Sequence, residues 1–112
     1  MKLSPQEMER WQRQIALPEF GVEAQAKLKE SRVVVFGVGG VGSATALYLA
    51  GAGVGQLTIV DRDVVSLSNL HRQLIYQFKD IGKSKADIAS QRLRAIDPGV
   101  NINSIARYVD LA

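Results

Sequence analysis

Apolar residues along the chain change period several times, and each change marks a passage between helix and strand. Ser4-Pro5-Gln6-Glu7 predicts a helix start: serine as N-cap, proline at the first helical position, and a glutamate three residues after the serine. Met8, Trp11 and Ile15 follow at i, i+3 and i+7 as one apolar stripe, which Leu17-Pro18 ends. Arg10 and Arg13 lie off that stripe and are free to meet something outside the helix's own core. A shorter helix is expected from about Val22 to Lys29, with Ala24 and Leu28 four apart. Arg32 to Phe36 then contains the unbroken apolar run Val33–Phe36, which predicts a buried parallel strand. A helix rich in small residues is expected from about Gly42 to Ala52, and after Gly53-Val54-Gly55 a second strand over Gln56–Val60.

From Asp61 to about Gly82 no period persists. This stretch carries Asp63, Ser66, Ser68, Asn69, Arg72 and Gln73, while Val64, Leu67, Leu70, Leu74 and Ile75 argue against disorder. An ordered loop of that length is expected to be functional. Asp80-Ile81-Gly82 reads as a turn, and Ser84 as the next N-cap, with Asp87 a weaker capping partner. Ala86, Ala89, Leu93 and Ile96 stripe the helix that ends at Asp97-Pro98, and Val100 to Ile105 alternates as a third strand. Trp11 and Tyr48 are expected in the core. The order β-α-β-loop-α-β predicts an α/β fold: a Rossmann-like, doubly wound, mostly parallel sheet with right-handed crossovers and an N-terminal helical extension.

Composition narrows the picture. The chain has 112 residues, at most one domain, and ends at Val109-Asp110-Leu111-Ala112 without a helix or cap signal. It is therefore expected to be the N-terminal portion of a longer protein, a fragment of a larger domain. It has no cysteine, so neither a disulfide framework nor a thiolate metal site can be built from it. The net charge of +3 is spread over all segments, a mixed solvated surface rather than a nucleic-acid footprint. Short apolar runs and the lack of a signal-peptide pattern point to a cytoplasmic protein with no membrane partner.

Candidate chemistry centres on Gly37-Val38-Gly39-Gly40-Val41-Gly42, which follows the first strand and opens a helix. Such a turn lets backbone N–H groups approach an anion at the positive end of the helix dipole. Asp61 closes the second strand, 19 residues past Gly42, where a carboxylate can hold both ribose hydroxyls. Arg72 and Lys85 separate nucleotide types, because a dinucleotide pyrophosphate is held mostly by backbone N–H groups whereas a triphosphate calls for fixed cations. Lys85 stands in the first turn of its helix, where the dipole disfavours a cation unless an anion lies in front of it. Asn69 and Gln73 can orient phosphates or satisfy loop backbone. His71, the single histidine, has no partner carboxylate and receives no catalytic role.

Arg13-Gln14-Ile15, Leu17-Pro18-Glu19-Phe20-Gly21, the glycine turn, Asp61-Arg62-Asp63-Val64-Val65, Ser66-Leu67-Ser68-Asn69-Leu70-His71-Arg72-Gln73 and Asp80-Ile81-Gly82-Lys83-Ser84-Lys85-Ala86 stand in an order and spacing that resemble the ThiF/MoeB/HesA group. These are bacterial relatives of the ubiquitin-activating enzymes. The resemblance covers nearly the whole chain, and its Ser-Asn-Leu-x-Arg-Gln string is far more specific than the glycines. It implies an adenylyltransferase: the Gly-Gly carboxylate of a ubiquitin-like sulfur carrier attacks the α-phosphate of ATP, with Mg2+, giving an acyl-adenylate and pyrophosphate. It implies a nucleotide site of Gly37, Gly39, Gly40, Gly42, Asp61, Asp63, Ser68, Asn69, Leu70, Arg72, Gln73 and Lys85. Arg13, Arg72 and Lys85 are implied in catalysis, with Arg13 reaching across a homodimer. It further implies residues 1–30 as a helical extension and 31–112 as the first part of the ThiF-type nucleotide-binding domain. An Mg2+-engaging aspartate, two Cys-x-x-Cys pairs for structural Zn2+ and a catalytic cysteine would lie beyond Ala112, so these 112 residues alone are expected to be an incomplete enzyme.

Two other functions share part of the pattern. An NAD-dependent oxidoreductase would explain the glycines and Asp61 but not the Ser68–Gln73 string or Lys85. A non-catalytic pseudo-subunit of an activating enzyme would be expected to have lost some of Asp61, Arg72 and Lys85.

Overall fold

The computed structural model describes residues 3–107; the terminal Val109–Ala112 stretch lies outside them. Three helices precede the sheet: α1 (Pro5–Arg10), α2 (Gln12–Ile15) and α3 (Gly21–Glu30). Then come β1 (Arg32–Phe36), α4 (Gly40–Ala52), β2 (Gln56–Val60), α5 (Lys85–Ile96) and β3 (Asn101–Ile105). The strands form one parallel sheet in the order β1-β2-β3, with Val33 opposite Leu57 and Leu57 opposite Ile102. Two crossovers that step the same way across a parallel sheet place both helices on one face. Accordingly α4 packs beside α5.

The core lies between that helical layer and the inward residues Val35, Leu57, Ile59 and Ile102, against Ala46, Ala50, Ala89 and Leu93. Small residues on α4 and α5 let helix and sheet backbones approach closely. The other face of the sheet, carrying Val34 and Phe36, is largely open among the described residues, with Phe36 63% exposed. This corrects the expectation of a fully buried first strand. An unbroken apolar run licenses burial on both faces, but only one face has its helices here.

Several local expectations change. The capping box at Ser4 and Glu7 forms as expected. The helix it starts is not continuous: Trp11, at φ −104° and ψ 19°, separates α1 from α2. The kink seats Trp11 in the interior at 4% exposure while Met8 stays outside, so the stripe is not one buried face. Tyr48, expected in the core, is 80% exposed on the outer side of α4. α4 starts two residues early, at Gly40. In the long loop, two one-turn 3-10 helices form, Leu67–Asn69 and Phe78–Asp80. Val65, Ile75 and Tyr76 bury the loop, whereas Val64, Leu67 and Leu74 face outward. Arg10 is not free, since it donates to Ile96 O (3.0 Å) and lies 3.8 Å from Asp97.

Candidate nucleotide site

The site begins at the carboxyl edge of the sheet, where ligands bind in open α/β folds. Gly37 continues the ladder by donating to Val60 O (2.8 Å) and turns the chain at φ +88°. Only glycine fits at 42: a Cβ there would stand 1.8 Å from Gly37 O. At Gly40 a Cβ would meet nothing within 4 Å, so the turn faces open space at that residue. Gly39 is the N-cap of α4 and supplies no side chain. The first backbone N–H groups of the helix are therefore left for another acceptor. Gly39 O accepts from Ser43 N–H (3.0 Å) and from the Ser43 hydroxyl, which ties the turn to the helix behind it.

Asp61 is built into this turn. Its Oδ2 accepts from Val38 N–H (2.9 Å) and its Oδ1 from Asp63 N–H (2.8 Å). A carboxylate offers about four lone-pair sites, so acceptor capacity remains for hydroxyl groups. Asp63 O in turn accepts from Lys85 N–H (3.0 Å). A short chain of hydrogen bonds thus runs from the glycine turn through Asp61 and Asp63 to the first residue of α5. An open cleft of about 310 Å3 lies here, lined by Phe36, Gly37, Val60, Asp61, Arg62, Asp63 and Arg107.

Lys85 is only 6% exposed, not a solvated surface lysine. Among the described residues its ammonium has no carboxylate within ion-pair distance. Gln73 is buried beside the turn, with its Nε2 3.5 Å from where a Gly39 Cβ would stand, and its Oε1 has no hydrogen-bond partner. Buried polar groups are normally satisfied, so this orphaned amide oxygen, an acceptor, marks a place for a ligand's donor beside the uncapped helix N–H groups.

The other expected residues divide. Asn69 is buried and spends its Oδ1 on Ser66 N–H (3.1 Å) and the Ser66 hydroxyl (2.9 Å), which leaves its amide NH2 available. Arg72 is exposed and donates one guanidinium N–H to Ser68 O (2.9 Å). Ser68 is exposed, and Leu70 packs on the core. Arg13 is not brought to the turn. Its neighbour Gln14 donates to Ala52 O (2.9 Å), at the far end of α4. That helix of 13 residues is roughly 20 Å long.

One residue at the turn escaped the sequence-based set. Tyr76 is buried and donates its hydroxyl to Val38 O (2.6 Å). Burial, and after it the charge of Asp61, push the phenol well above the usual tyrosine range, so it stays protonated as a donor. The available signal was slight: a tyrosine in the apolar run Leu74-Ile75-Tyr76 must find a partner for its hydroxyl if buried.

Comparison with known proteins adds independent findings. The chain is 47% identical over 109 residues to the molybdopterin-synthase adenylyltransferase of Salmonella typhimurium, covering 97% of this chain and 44% of that protein. It is 43% identical over 104 residues to the sulfur carrier protein adenylyltransferase of Thermus thermophilus, covering 93% of this chain and 38% of that protein. The chain thus spans less than half the length of these relatives. Among solved structures, the E. coli tRNA N6-threonylcarbamoyladenosine dehydratase TcdA in complex with AMP superposes with a TM-score of 0.90 at 29% identity, over 97% of this chain and 44% of that one. The same dehydratase has also been crystallised with ATP. The Rossmann-like α/β fold is therefore the one these relatives share. The model of the ThiF family matches residues 11–110, and on that match the chain belongs to the ThiF family.

Proposed function

We propose that the protein carrying this sequence adenylates the C-terminal Gly-Gly carboxylate of a ubiquitin-like sulfur carrier. A carboxylate oxygen attacks the α-phosphorus of ATP, the bond to the bridging oxygen breaks, and pyrophosphate leaves with the electron pair. The observation that carries this reading is Lys85, a buried cation without a carboxylate partner, whose backbone N–H is linked through Asp63 and Asp61 to an uncapped glycine turn. A dinucleotide would need no such cation, whereas a triphosphate does. The names of the relatives, adenylyltransferases of molybdopterin synthase and of a sulfur carrier, point the same way. They do not favour an oxidoreductase or a non-catalytic pseudo-subunit.

In this proposal Asp61 takes the ribose hydroxyls with its remaining lone pairs. Gly37, Gly39, Gly40 and Gly42 form the phosphate turn, and Asp63, Ser68, Asn69, Leu70 and Gln73 complete the wall. Arg72 and Lys85 stabilise charge as it develops on the phosphate oxygens. Residues 1–30 serve as an extension that carries Arg13, and residues 31–112 as the first part of the nucleotide domain. Arg13 lies at the opposite end of α4 from its own chain's turn, so it acts in a homodimer on the partner's site. Mg2+ neutralises the triphosphate when bound; no group of three His, Cys, Asp or Glu suited to a metal occurs among the described residues. No helix among them is long and apolar enough to cross a membrane. The cytoplasm is the compartment this chemistry needs.

Competitive binding of ATP and NAD+ to the chain tests the nucleotide class, with ATP expected to win; preference for NAD+ would overturn it. Exchange of labelled pyrophosphate into ATP by the whole protein should require a carrier ending in Gly-Gly. Exchange at the same rate without any carboxylate substrate would sink the adenylation reading.

A further inference from the structure

We propose that Tyr76 is a positioning residue that fixes the direction of the Gly39 N–H, the first amide of the phosphate turn after those that Val60 O and Asp61 hold. The inference rests on the nucleotide site proposed above. Val38 is fully buried and its backbone is held at both polar atoms. Its N–H is bound by Asp61 Oδ2 (2.9 Å), and its carbonyl by the Tyr76 hydroxyl (2.6 Å), from a residue 38 positions away.

The carbonyl of Val38 and the N–H of Gly39 belong to one peptide unit, planar and trans, so they point in opposite directions. Drawing the carbonyl inward to the buried phenol turns the Gly39 N–H outward. Gly39, without a Cβ, would otherwise let this peptide rotate at small cost. A rotated peptide would present a carbonyl oxygen to the anion in place of a donor, reversing the local dipole. Burial and the charge of Asp61 hold the phenol protonated, so it keeps the proton that it donates to Val38 O. The same loop turn supplies Gln73, whose backbone carbonyl accepts from Tyr76 N–H (3.1 Å) and whose amide lies against Gly39. One segment therefore sets both the amide direction and the orphaned side chain beside it. Asp61, the carboxylate proposed for the ribose, anchors the preceding Gly37–Val38 peptide, so Asp61 and Tyr76 hold the two peptides that flank Val38.

The test uses the chain with Tyr76→Phe, which keeps the ring and removes only the hydroxyl. ATP affinity is expected to fall about tenfold, the scale of one lost hydrogen bond, while affinity for adenosine, which has no phosphate, stays unchanged. Equal loss for both ligands, or no loss for ATP, would overturn the positioning role. Amide orientation gives a readout that needs no nucleotide: residual dipolar couplings of the Gly39 N–H should change in Tyr76→Phe while those of β1 and β2 do not. Unchanged Gly39 couplings would refute the inference even if the chain bound no ATP at all, and changed couplings without ATP binding would support it while refuting the nucleotide site. In the unaltered chain, titration with inorganic tripolyphosphate should move the Gly39 and Gly40 amide signals and leave Val38 in place. A shift at Val38 as large as theirs would overturn it without any variant.

Discussion

The two ends of α4 are finished in opposite ways. At the C-terminal end Gly53 takes the left-handed conformation, and its N–H returns to Ala50 O (3.3 Å). Ala52 O accepts from both Gln14 (2.9 Å) and Gln25 (2.8 Å), and Gln14 also donates to Gln25 (2.7 Å). Gln25 is fully buried, yet both of its polar atoms are satisfied. At the N-terminal end no side chain caps the helix, Gln73 Oε1 has no partner, and Lys85 stands buried without a carboxylate. One end is closed to hold the extension against the sheet, and the other leaves helix N–H groups, the donors an anion needs, without a side-chain cap. Unsatisfied polar groups alone do not mark a site: Trp11 Nε1 and Arg92 Nε are also buried without partners, and Trp11 itself stands at the uncapped start of the four-residue α2. What sets the glycine turn apart is that the uncapped start of a 13-residue helix lies beside the buried Gln73 amide.

The largest effect should come from testing the two turn glycines separately. Gly42→Ala drives a Cβ into Gly37 O and should cost about 4 kcal/mol or more of stability, measured by urea unfolding. Gly40→Ala meets nothing within the protein and should change stability by no more than about 0.5 kcal/mol. It should nevertheless weaken ATP binding, because the methyl occupies ligand space. If Gly40→Ala binds ATP normally, the open end is not where phosphate approaches.

At the closed end, Gln25→Ala leaves a cavity and removes one donor from Ala52 O, so a loss of about 2–4 kcal/mol is expected. ATP affinity of the folded fraction should be unchanged. A parallel loss of affinity would mean that the two ends are coupled through α4.

Lys85→Met should do the reverse. Stability should hold or rise, because a buried cation without a carboxylate partner is replaced by an apolar chain of similar length. ATP affinity should fall by about 1.5–3 kcal/mol, the scale of a hydrogen bond to a charged group, read by calorimetry. A destabilised variant with normal ATP affinity would make Lys85 structural.

The smallest effects are pH-dependent and differ in sign between the two edges. Glu7, hydrogen-bonded to Lys29 (2.8 Å), is held below the usual carboxylate value. Its contribution is present above the unfolded value near pH 4.5 and fades as the pH falls through the lower folded value. Tyr76 is raised, so its contribution is complete below about pH 10 and is lost as the pH climbs further. Glu7→Gln should flatten the acid limb of a melting-temperature profile and Tyr76→Phe the alkaline limb. Crossed outcomes would mean these groups are not the ones titrating.

Much of the fold was legible in the sequence because its signals are local. Ser4 and Glu7 form their capping box, Ser84 caps α5, and the glycine turn follows β1 as its spacing requires. Asp61 falls at the end of β2 because strand length and helix length leave it no other place. The misreadings have specific causes. Tyr48 was assigned to the core because aromatic residues usually are buried, but the sheet takes only one side of α4 and Tyr48 lies on the other. Trp11 did reach the interior, at the cost of the helix that the stripe predicts. Val34 and Phe36 belong to a face that has no helical cover among the described residues.

The sequence by itself determined the order of elements, the turn that only glycine can make and the acid that follows it, because each depends on residues a few positions apart. Tertiary structure alone decided that Lys85 is buried, that Gln73 faces Gly39 and that Tyr76 binds Val38 O across 38 positions. It also set Arg13 at the far end of α4. The path of the 61–84 loop over the glycine turn governs the first three. That path is fixed by packing of Val65, Ile75 and Tyr76 into the core, which no periodicity along the chain records.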